Sequence, residues 1–524
     1  MRKLASYQKA YACWKQGRLQ EAEALLRSSW ETTGQRSIYG MLLMAYILRD
    51  GRRPVSEVRQ LRELLAAFAQ APEKNLLADA WSLLGSALRK LGENEAAVDA
   101  LLQSAALEPD PARKLVEASN AIFAANSVEA YGAEDFQRLY ARYRELVAGL
   151  QPAAYPPPRW HHEKLRIGYL SADLRDHAVA QFVQPLLRAY DHEAFDVYVY
   201  SLVRQEDGVT AALRDPAAIW RRMAGQPFAA VAEAVRMDEI DVLFDLSGHS
   251  AENALPVFAW RPALVQISGI GYFNSTGLSS CDGFLSDVHC APGPQSPYFT
   301  EPLLRLPRSH FCYAPLKPFP EVAPPPCLAR GYVTFGCFNN FSKVTDGMLV
   351  LWRQILAAVP GAHLLLKHAL FDSGEGRAYT MERLQRLGFS SELCGRVELR
   401  GLSRGYLREY GDMDIALDTF PYTGGLTTCE ALMMGVPVIS LVGARHGARF
   451  GRSFLENIGF GELAADTEER YAALAAGLAQ DAQALAALRQ VLRPKMQQSP
   501  VMDGAGYVRD VEALYRQLVW EKSR

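Results

Sequence analysis

Two periodicities divide the chain. Over residues 1–150 apolar positions recur three and four residues apart among Ala, Leu, Glu, Arg and Gln, which predicts an all-helical segment. A Pro-rich joint, QPAAYPPP at 151–158, ends it. Short β-rich runs then alternate with helical stretches: KLRIGYLSAD, FDVYVYSLV, IDVLFDLSGH and ALVQISGIGY. Nearly continuous apolar strands separated by helices predict a parallel sheet covered on both faces. From Arg305 to Arg330 seven prolines and no periodicity read as a linker. The alternation resumes with YVTFGCFN, HLLLKHAL, RVELRGL, DIALDTF and VPVISLVG, and from about Asp466 the pattern is helical again. The expected domains are therefore a helical module at 1–150, an α/β domain at 160–305, a linker at 306–330, and a second α/β domain with closing helices at 331–524. Ligands of such sheets bind at the carboxyl ends of the strands.

The helical segment also repeats. In 78–110, ADAWSLLGSALRKLGENEAAVDALLQSAALEPD, the residues Trp81, Leu84, Gly85, Leu88, Gly92, Ala97, Leu101 and Pro109 fall where a tetratricopeptide unit places its signature. Small residues let two antiparallel helices approach, and glycine gives the turn its backbone freedom. Gly17 heads a similar turn and Gly51 lies 34 residues later, but Gly92 lies 41 beyond Gly51, so the middle unit is degenerate. Two or three tetratricopeptide-like units are expected, with a plain helical bundle as the alternative.

Composition narrows the classes. With 49% hydrophobic and 22% charged residues in 524, the chain is an ordinary globular protein with room for a large core. A formal charge of −2 gives no reason to expect nucleic acid as a partner. The 8 cysteines, at 13, 281, 290, 312, 327, 337, 394 and 429, form no CxxC pair and no Cys/His cluster in sequence, so no metal site and a reducing compartment are expected. The N-terminal segment lacks a signal-peptide pattern, and no apolar run reaches the ~18–20 residues of a membrane helix. A cytoplasmic protein with no membrane partner is expected.

No GxGxxG follows a strand, and Walker A, GxSxG and HExxH motifs are missing, which argues against dinucleotide, P-loop, esterase and zincin chemistry. The informative segment is DIALDTFPYTGGLTTCEALMMGVPVIS, 414–440. A strand ends at Asp418, the turn runs through Tyr422, Gly424 and Gly425, and a helix opens with Thr427 and Thr428 and carries Glu430. Such a helix start offers free N–H groups and the positive dipole end to a diphosphate, and Glu430 could accept from ribose hydroxyls. The competing reading is a helix capped by Thr, with Glu near its third position.

This block, with its order and context, resembles the glycosyltransferase family that contains O-GlcNAc transferase and the plant SPINDLY proteins. Three further blocks agree in the same order: LRIGYLSADLRDHAVAQF at 165–182, DVLFDLSGHSAEN at 241–253 followed by FAWRPALVQISGIGYFNSTGL, and FGCFNNFSKVTD at 335–346. The resemblance covers residues 160–465, and a tetratricopeptide front end is also the family's habit.

It implies a GT-B fold, two Rossmann-like domains facing a cleft, and an inverting, metal-independent protein glycosyltransferase without a cofactor. Sugar would pass from a nucleotide sugar, here UDP-GlcNAc, to Ser/Thr of a protein held partly by the repeats. Fucose from GDP-fucose, glucose from UDP-glucose to Asn, and an inactive repeat-based binding module are the alternatives. The matching positions give His177 as the disputed catalytic base and Lys343 as the group neutralising the leaving diphosphate, with Asn340 beside it. Thr427 and Thr428 would hold phosphate and Glu430 ribose; Gly401, Gly424, Gly425 and His249 would line the site. The departures are specific. GYFNSTG at 271–277 replaces GYPGTTG or GYPGTSG, Tyr406 stands at the base-stacking His, and Glu409 stands at the base-contacting Arg. The loop facing sugar and acceptor therefore differs, and nucleobase choice is less secured by resemblance than phosphate binding.

Overall fold

The computed structural model describes the backbone from Arg2 to Arg524 apart from Gln151, Ala154 and Arg159, and the side chains from Ser6 onward apart from those three residues. Met1 in the first expected domain, and Gln151 and Ala154 in the Pro-rich joint, lie outside the described residues.

Eight helices occupy the front of the chain: α1 Arg2–Lys15, α2 Leu19–Thr33, α3 Ile38–Asp50, α4 Pro54–Ala67, α5 Lys74–Leu91, α6 Asn94–Leu107, α7 Pro111–Ala125 and α8 Ala133–Ala148. The 34-residue signature works as the sequence suggests. A Cβ on Gly85 of α5 would lie 2.6 Å from Leu101 Cγ of α6, so only hydrogen permits that approach. Gly17 and Gly92 take left-handed φ of 74° and 79° at their turns. Gly51 does not: its φ is −76°, and Arg52 carries the positive φ of 54°.

Thirteen strands are described: β1 Leu165–Ser171, β2 Phe195–Ser201, β3 Ile219–Arg222, β4 Val242–Asp245, β5 Val265–Ser268, β6 Gly283–Asp287, β7 Leu303–Leu306, β8 Thr334–Cys337, β9 His363–Lys367, β10 Val397–Arg400, β11 Ile415–Leu417, β12 Val438–Leu441 and β13 Ala464–Ala465. They form a seven-stranded sheet, order β3-β2-β1-β4-β5-β6-β7, and a six-stranded sheet, order β10-β9-β8-β11-β12-β13. The registered pairs run parallel, for instance Leu165↔Phe195 through Ser171↔Ser201. Two Rossmann-type sheets behind helical repeats are the expected architecture.

The chain forms two compact units. One comprises 1–128, 338–353 and 365–404; the other comprises 129–337, 354–364 and 405–524. Helix α8 thus belongs with the first sheet rather than with α1–α7. Within the second unit the C-terminal helix Gly504–Lys522 also joins that sheet: the Tyr515 and Tyr169 hydroxyls pair at 3.2 Å, and Arg308 bridges Asp510 at 2.7 Å. Leu306, at the start of the Pro-rich stretch, completes β7, while Cys327–Arg330 at its end is a short helix. No described helix is long and apolar enough to cross a membrane.

Candidate functional site

In the second unit, three aspartates at or just beyond strand ends shape the carboxyl edges of the sheets. Asp245 accepts from the Gly248 N–H at 2.7 Å and the Ser268 hydroxyl at 2.7 Å. Asp287 accepts from the Cys290 N–H at 2.7 Å and the Ser453 hydroxyl at 2.7 Å. Asp418 accepts from the Gly424 N–H at 2.7 Å and the Ser440 hydroxyl at 2.8 Å. Each carboxylate turns the chain by satisfying the N–H groups of the loop that follows.

The Asp418 turn delivers the most informative segment. Its Phe420–Pro421 peptide is cis, and the Thr419 hydroxyl donates to the Tyr422 carbonyl at 2.7 Å. The helix Leu426–Met433 begins at Gly425, which provides no side-chain cap. The Thr-capped reading is therefore not what forms. Thr427 and Thr428 are the second and third helical residues, and space for a Cβ is open at Gly425. Such a start turns the positive end of the helix dipole toward an anion.

One turn on, Glu430 is buried and held by two phenols. Tyr410 donates to Oε2 at 3.0 Å and Tyr406 donates to Oε1. Desolvation pushes the Glu430 carboxyl up to about 7, offset partly by those hydrogen bonds and by Lys317. Tyr406, expected to stack on a base, thus commits its hydroxyl to the expected ribose ligand. Tyr410 was missed: the short helix Tyr406–Asp412 brings it to a partner 20 residues on in sequence, which no local pattern marks.

His177 follows β1 and is partly exposed. Its Nδ1 accepts from the Val179 N–H at 3.3 Å and lies 3.5 Å from Asp173 Oδ1. Burial lowers the imidazole, with Asp173 opposing, and burial raises Asp173. Asp173, four residues before His177, was also missed in sequence.

His249, expected to line the site, is deeply buried. It is 0% exposed, packs among Tyr140 and Tyr143 of α8 and Tyr272, and pairs through Nε2 with the Thr276 carbonyl at 2.9 Å. Desolvation lowers it to about 4, so the ring is neutral. It supports the 271–277 loop from beneath rather than lining an open surface. That loop carries the family departure, and Phe273 stacks on Tyr422 of the Asp418 turn with centroids 3.7 Å apart. Buried Glu301 fixes its far side, accepting from the Ser275 hydroxyl at 2.5 Å and the Thr276 N–H at 2.7 Å.

The first unit holds the remaining expected residues. Lys343 ends the turn Phe341–Lys343, which Asn340 caps by accepting from the Ser342 N–H at 3.1 Å. Gly401 follows β10; its carbonyl accepts from Lys367 Nζ at 2.6 Å, and a Cβ there would fall 2.1 Å from Asp372 Oδ1.

The fold does gather one Cys/His group that spacing hid. Cys290, His310 and His446 are all buried, with ligand atoms within 4.8 Å of one another. Each is already hydrogen-bonded: His310 Nδ1 to Asp287 at 2.6 Å, His446 Nε2 to Ser286 at 2.8 Å, and Cys290 Sγ to the Arg449 carbonyl at 3.5 Å. It reads as a polar knot between strand ends. None of the eight cysteines forms a disulfide among the described residues.

The model of glycosyl transferase family 41 matches residues 146–323 and 327–511, and a tetratricopeptide model matches 78–111. This chain belongs to glycosyltransferase family 41. It is 38% identical over 391 residues to a protein of Hordeum vulgare named probable UDP-N-acetylglucosamine–peptide N-acetylglucosaminyltransferase SPINDLY, covering 74% of this chain and 40% of that one. An Arabidopsis thaliana protein of the same name is 38% identical over 362 residues, 68% of this chain and 40% of that one. The chain thus spans about 40% of the length of these relatives. The solved structure of an O-GlcNAc transferase mutant from Thermobaculum terrenum superimposes with a TM-score of 0.86 at 30% identity, over 100% of this chain and 99% of that one. The GT-B fold follows from that match.

Proposed function

We propose that this family 41 chain is an inverting protein glycosyltransferase that moves GlcNAc from UDP-GlcNAc to Ser/Thr. The observation that carries it is the Gly425 helix start with Thr427, Thr428 and buried Glu430: the positive end of a helix dipole for a diphosphate and a carboxylate for a ribose. The names of the relatives and the whole-length likeness to an O-GlcNAc transferase support the sugar. His177 would act as base or position the acceptor, and Lys343 would neutralise the departing diphosphate, with Asn340 and Gly401 in support. No metal or other cofactor is needed, because fixed positive groups take the cation's part. The repeats would hold part of the acceptor protein in their groove, in a reducing compartment such as the cytoplasm, which suits eight unpaired cysteines.

A second reading, GDP-fucose as donor, is favoured by one residue. Glu409 replaces the family's base-contacting Arg, and a carboxylate can accept from both N1–H and N2–H₂ of guanine, whereas uracil offers one N–H. Incubation with UDP-GlcNAc, UDP-glucose and GDP-fucose, followed by detection of donor hydrolysis and acceptor mass gain, separates these readings. Turnover of UDP-GlcNAc alone supports the first; turnover of none supports an inactive binding module.

A further inference from the structure

The FSKVTD turn is held from outside its own sheet. Within the first unit, the peptide carbonyls on either side of Lys343 are both pinned. The Ser342 carbonyl accepts from Asn94 Nδ2 of α6 at 2.8 Å. The Val344 carbonyl accepts from Arg383 Nη2 at 3.0 Å. Arg383 is buried, reaches back to the Leu91 carbonyl of α5 at 3.3 Å, and is fixed by Asp346 at 2.6 Å.

Between these anchors sits Gly92, the signature glycine of the repeat. Its φ of +79° favours glycine, and a Cβ there would meet Arg383 Nη1 at 2.8 Å, the Val344 carbonyl at 3.3 Å and the Phe341 carbonyl at 3.4 Å. Glycine therefore serves the turn and the approach of the Lys343 segment at once. Asn94 adds a telling detail: its Oδ1 is buried without a hydrogen-bond partner. Two carbonyls, of Ser342 and Gly92 at 2.8 and 3.4 Å, take its amide hydrogens. An amide half-satisfied in the interior costs stability, and α6 does not need it as a cap, because Glu93 holds that position. Its remaining partners are the turn glycine and the residue before Lys343.

We infer that the α5–α6 turn of the repeats is a positioning element for the transferase: through Asn94 and Arg383 it sets the backbone on which Lys343 stands. This rests on the reading of Lys343 as the diphosphate residue. A lysine ammonium on a four-carbon stem stabilises a leaving group only where its backbone is fixed to a fraction of an ångström. The repeats thereby serve the donor as well as the acceptor.

The test is a double-mutant cycle on the full-length protein, reading kcat/KM for UDP-GlcNAc, calorimetric UDP affinity and thermal midpoint. Asn94→Ala removes the pin and its orphaned oxygen together, so the midpoint should stay close to the parent's or rise. Donor kcat/KM should nonetheless fall at least ~10-fold, and UDP affinity with it. Arg383→Lys, which keeps the charge and loses the fork, should act in the same direction. In a Lys343→Ala background Asn94→Ala should cost little more, because it acts through that lysine. An equal loss in both backgrounds, or no loss from Asn94→Ala in an enzyme that Lys343→Ala cripples, overturns the inference. Full activity in Lys343→Ala itself would instead overturn the reading on which it stands.

Discussion

Under the proposed ribose contact, the ionisation state of Glu430 controls donor binding. Its carboxyl is raised from 4.5 to about 7 by burial, so the folded chain takes up a proton between those values. Its contribution to stability is accordingly full below pH 4.5 and is lost as pH rises through about 7. A ribose diol needs the ionised form as acceptor, so binding must expel that proton. UDP affinity should therefore strengthen as pH rises toward about 7, at most ~10-fold per unit, and level off above it. Calorimetry in buffers of different ionisation enthalpy should register proton release near pH 6. Glu430→Gln should weaken binding and flatten the profile; an unaltered profile would take Glu430 out of the ribose contact. For Lys343→Ala we expect kcat/KM to fall at least ~100-fold, about 2.7 kcal/mol of transition-state stabilisation, with folding intact. A loss within threefold would remove the lysine from the chemistry. The place of Thr427, Thr428 and Glu430 at a helix start was readable because strand, glycine turn and helix start are neighbours in sequence. Asp173 and Tyr410 were not, since nothing local marks a carboxylate or phenol as another side chain's partner. The burial of His249 behind α8 was not legible for a related reason: it depends on a contact over a hundred residues away.

At the scale of elements, the sequence announced what is buried and regular. Strands β1, β2, β4, β5, β8, β9, β11 and β12 were each visible as apolar runs, and β10 as RVELRGL, whereas the edge strands β3 and β13 were not. Strand β3 is IWRR, almost wholly exposed, so its pattern carries no alternation against a core. Strand β13 has two residues, too few for any period. Strand β6, GFLSD, was passed over because only Phe284 and Leu285 are large apolar residues in it, and β7 because the adjoining prolines drew its last residues into a linker. The repeat signature was more reliable because it encodes a contact as well as a period. Gly85→Ala tests that contact. Alanine should add about 1 kcal/mol of helix propensity, yet its Cβ would lie 2.6 Å from Leu101 Cγ and 3.1 Å from the Ala97 carbonyl. Overpacking of this kind costs about 1–3 kcal/mol, so the urea midpoint should fall. A midpoint above the parent's would mean that α5 and α6 separate easily, and the signature would then mark propensity rather than packing.

At the scale of the whole molecule, charge on the leaving diphosphate must be balanced by something the chain carries or recruits. A divalent ion that bridges phosphates, Mg²⁺ or Mn²⁺, is a hard cation held by carboxylate and other oxygen ligands. The group that this fold does gather, Cys290, His310 and His446, offers sulfur and nitrogen, is wholly buried, and is closed by Asp287, Ser286 and a backbone carbonyl. Its chemistry suits neither ion. The strand-end carboxylates Asp245, Asp287 and Asp418 are likewise spent on loop N–H groups and on serine hydroxyls. On the proposed reading Lys343 would supply the positive charge instead, without any ligand set. Initial rates of transfer should accordingly be the same, within error, in EDTA and in millimolar Mg²⁺ or Mn²⁺. The measurement is best made on protein dialysed against chelator, with donor and acceptor held below their KM values so that a cation's effect on either would register. Activation of tenfold or more by Mn²⁺, reversed by EDTA, would show that a metal rather than Lys343 balances the leaving group, and would overturn the metal-independent mechanism while leaving the two-sheet fold in place.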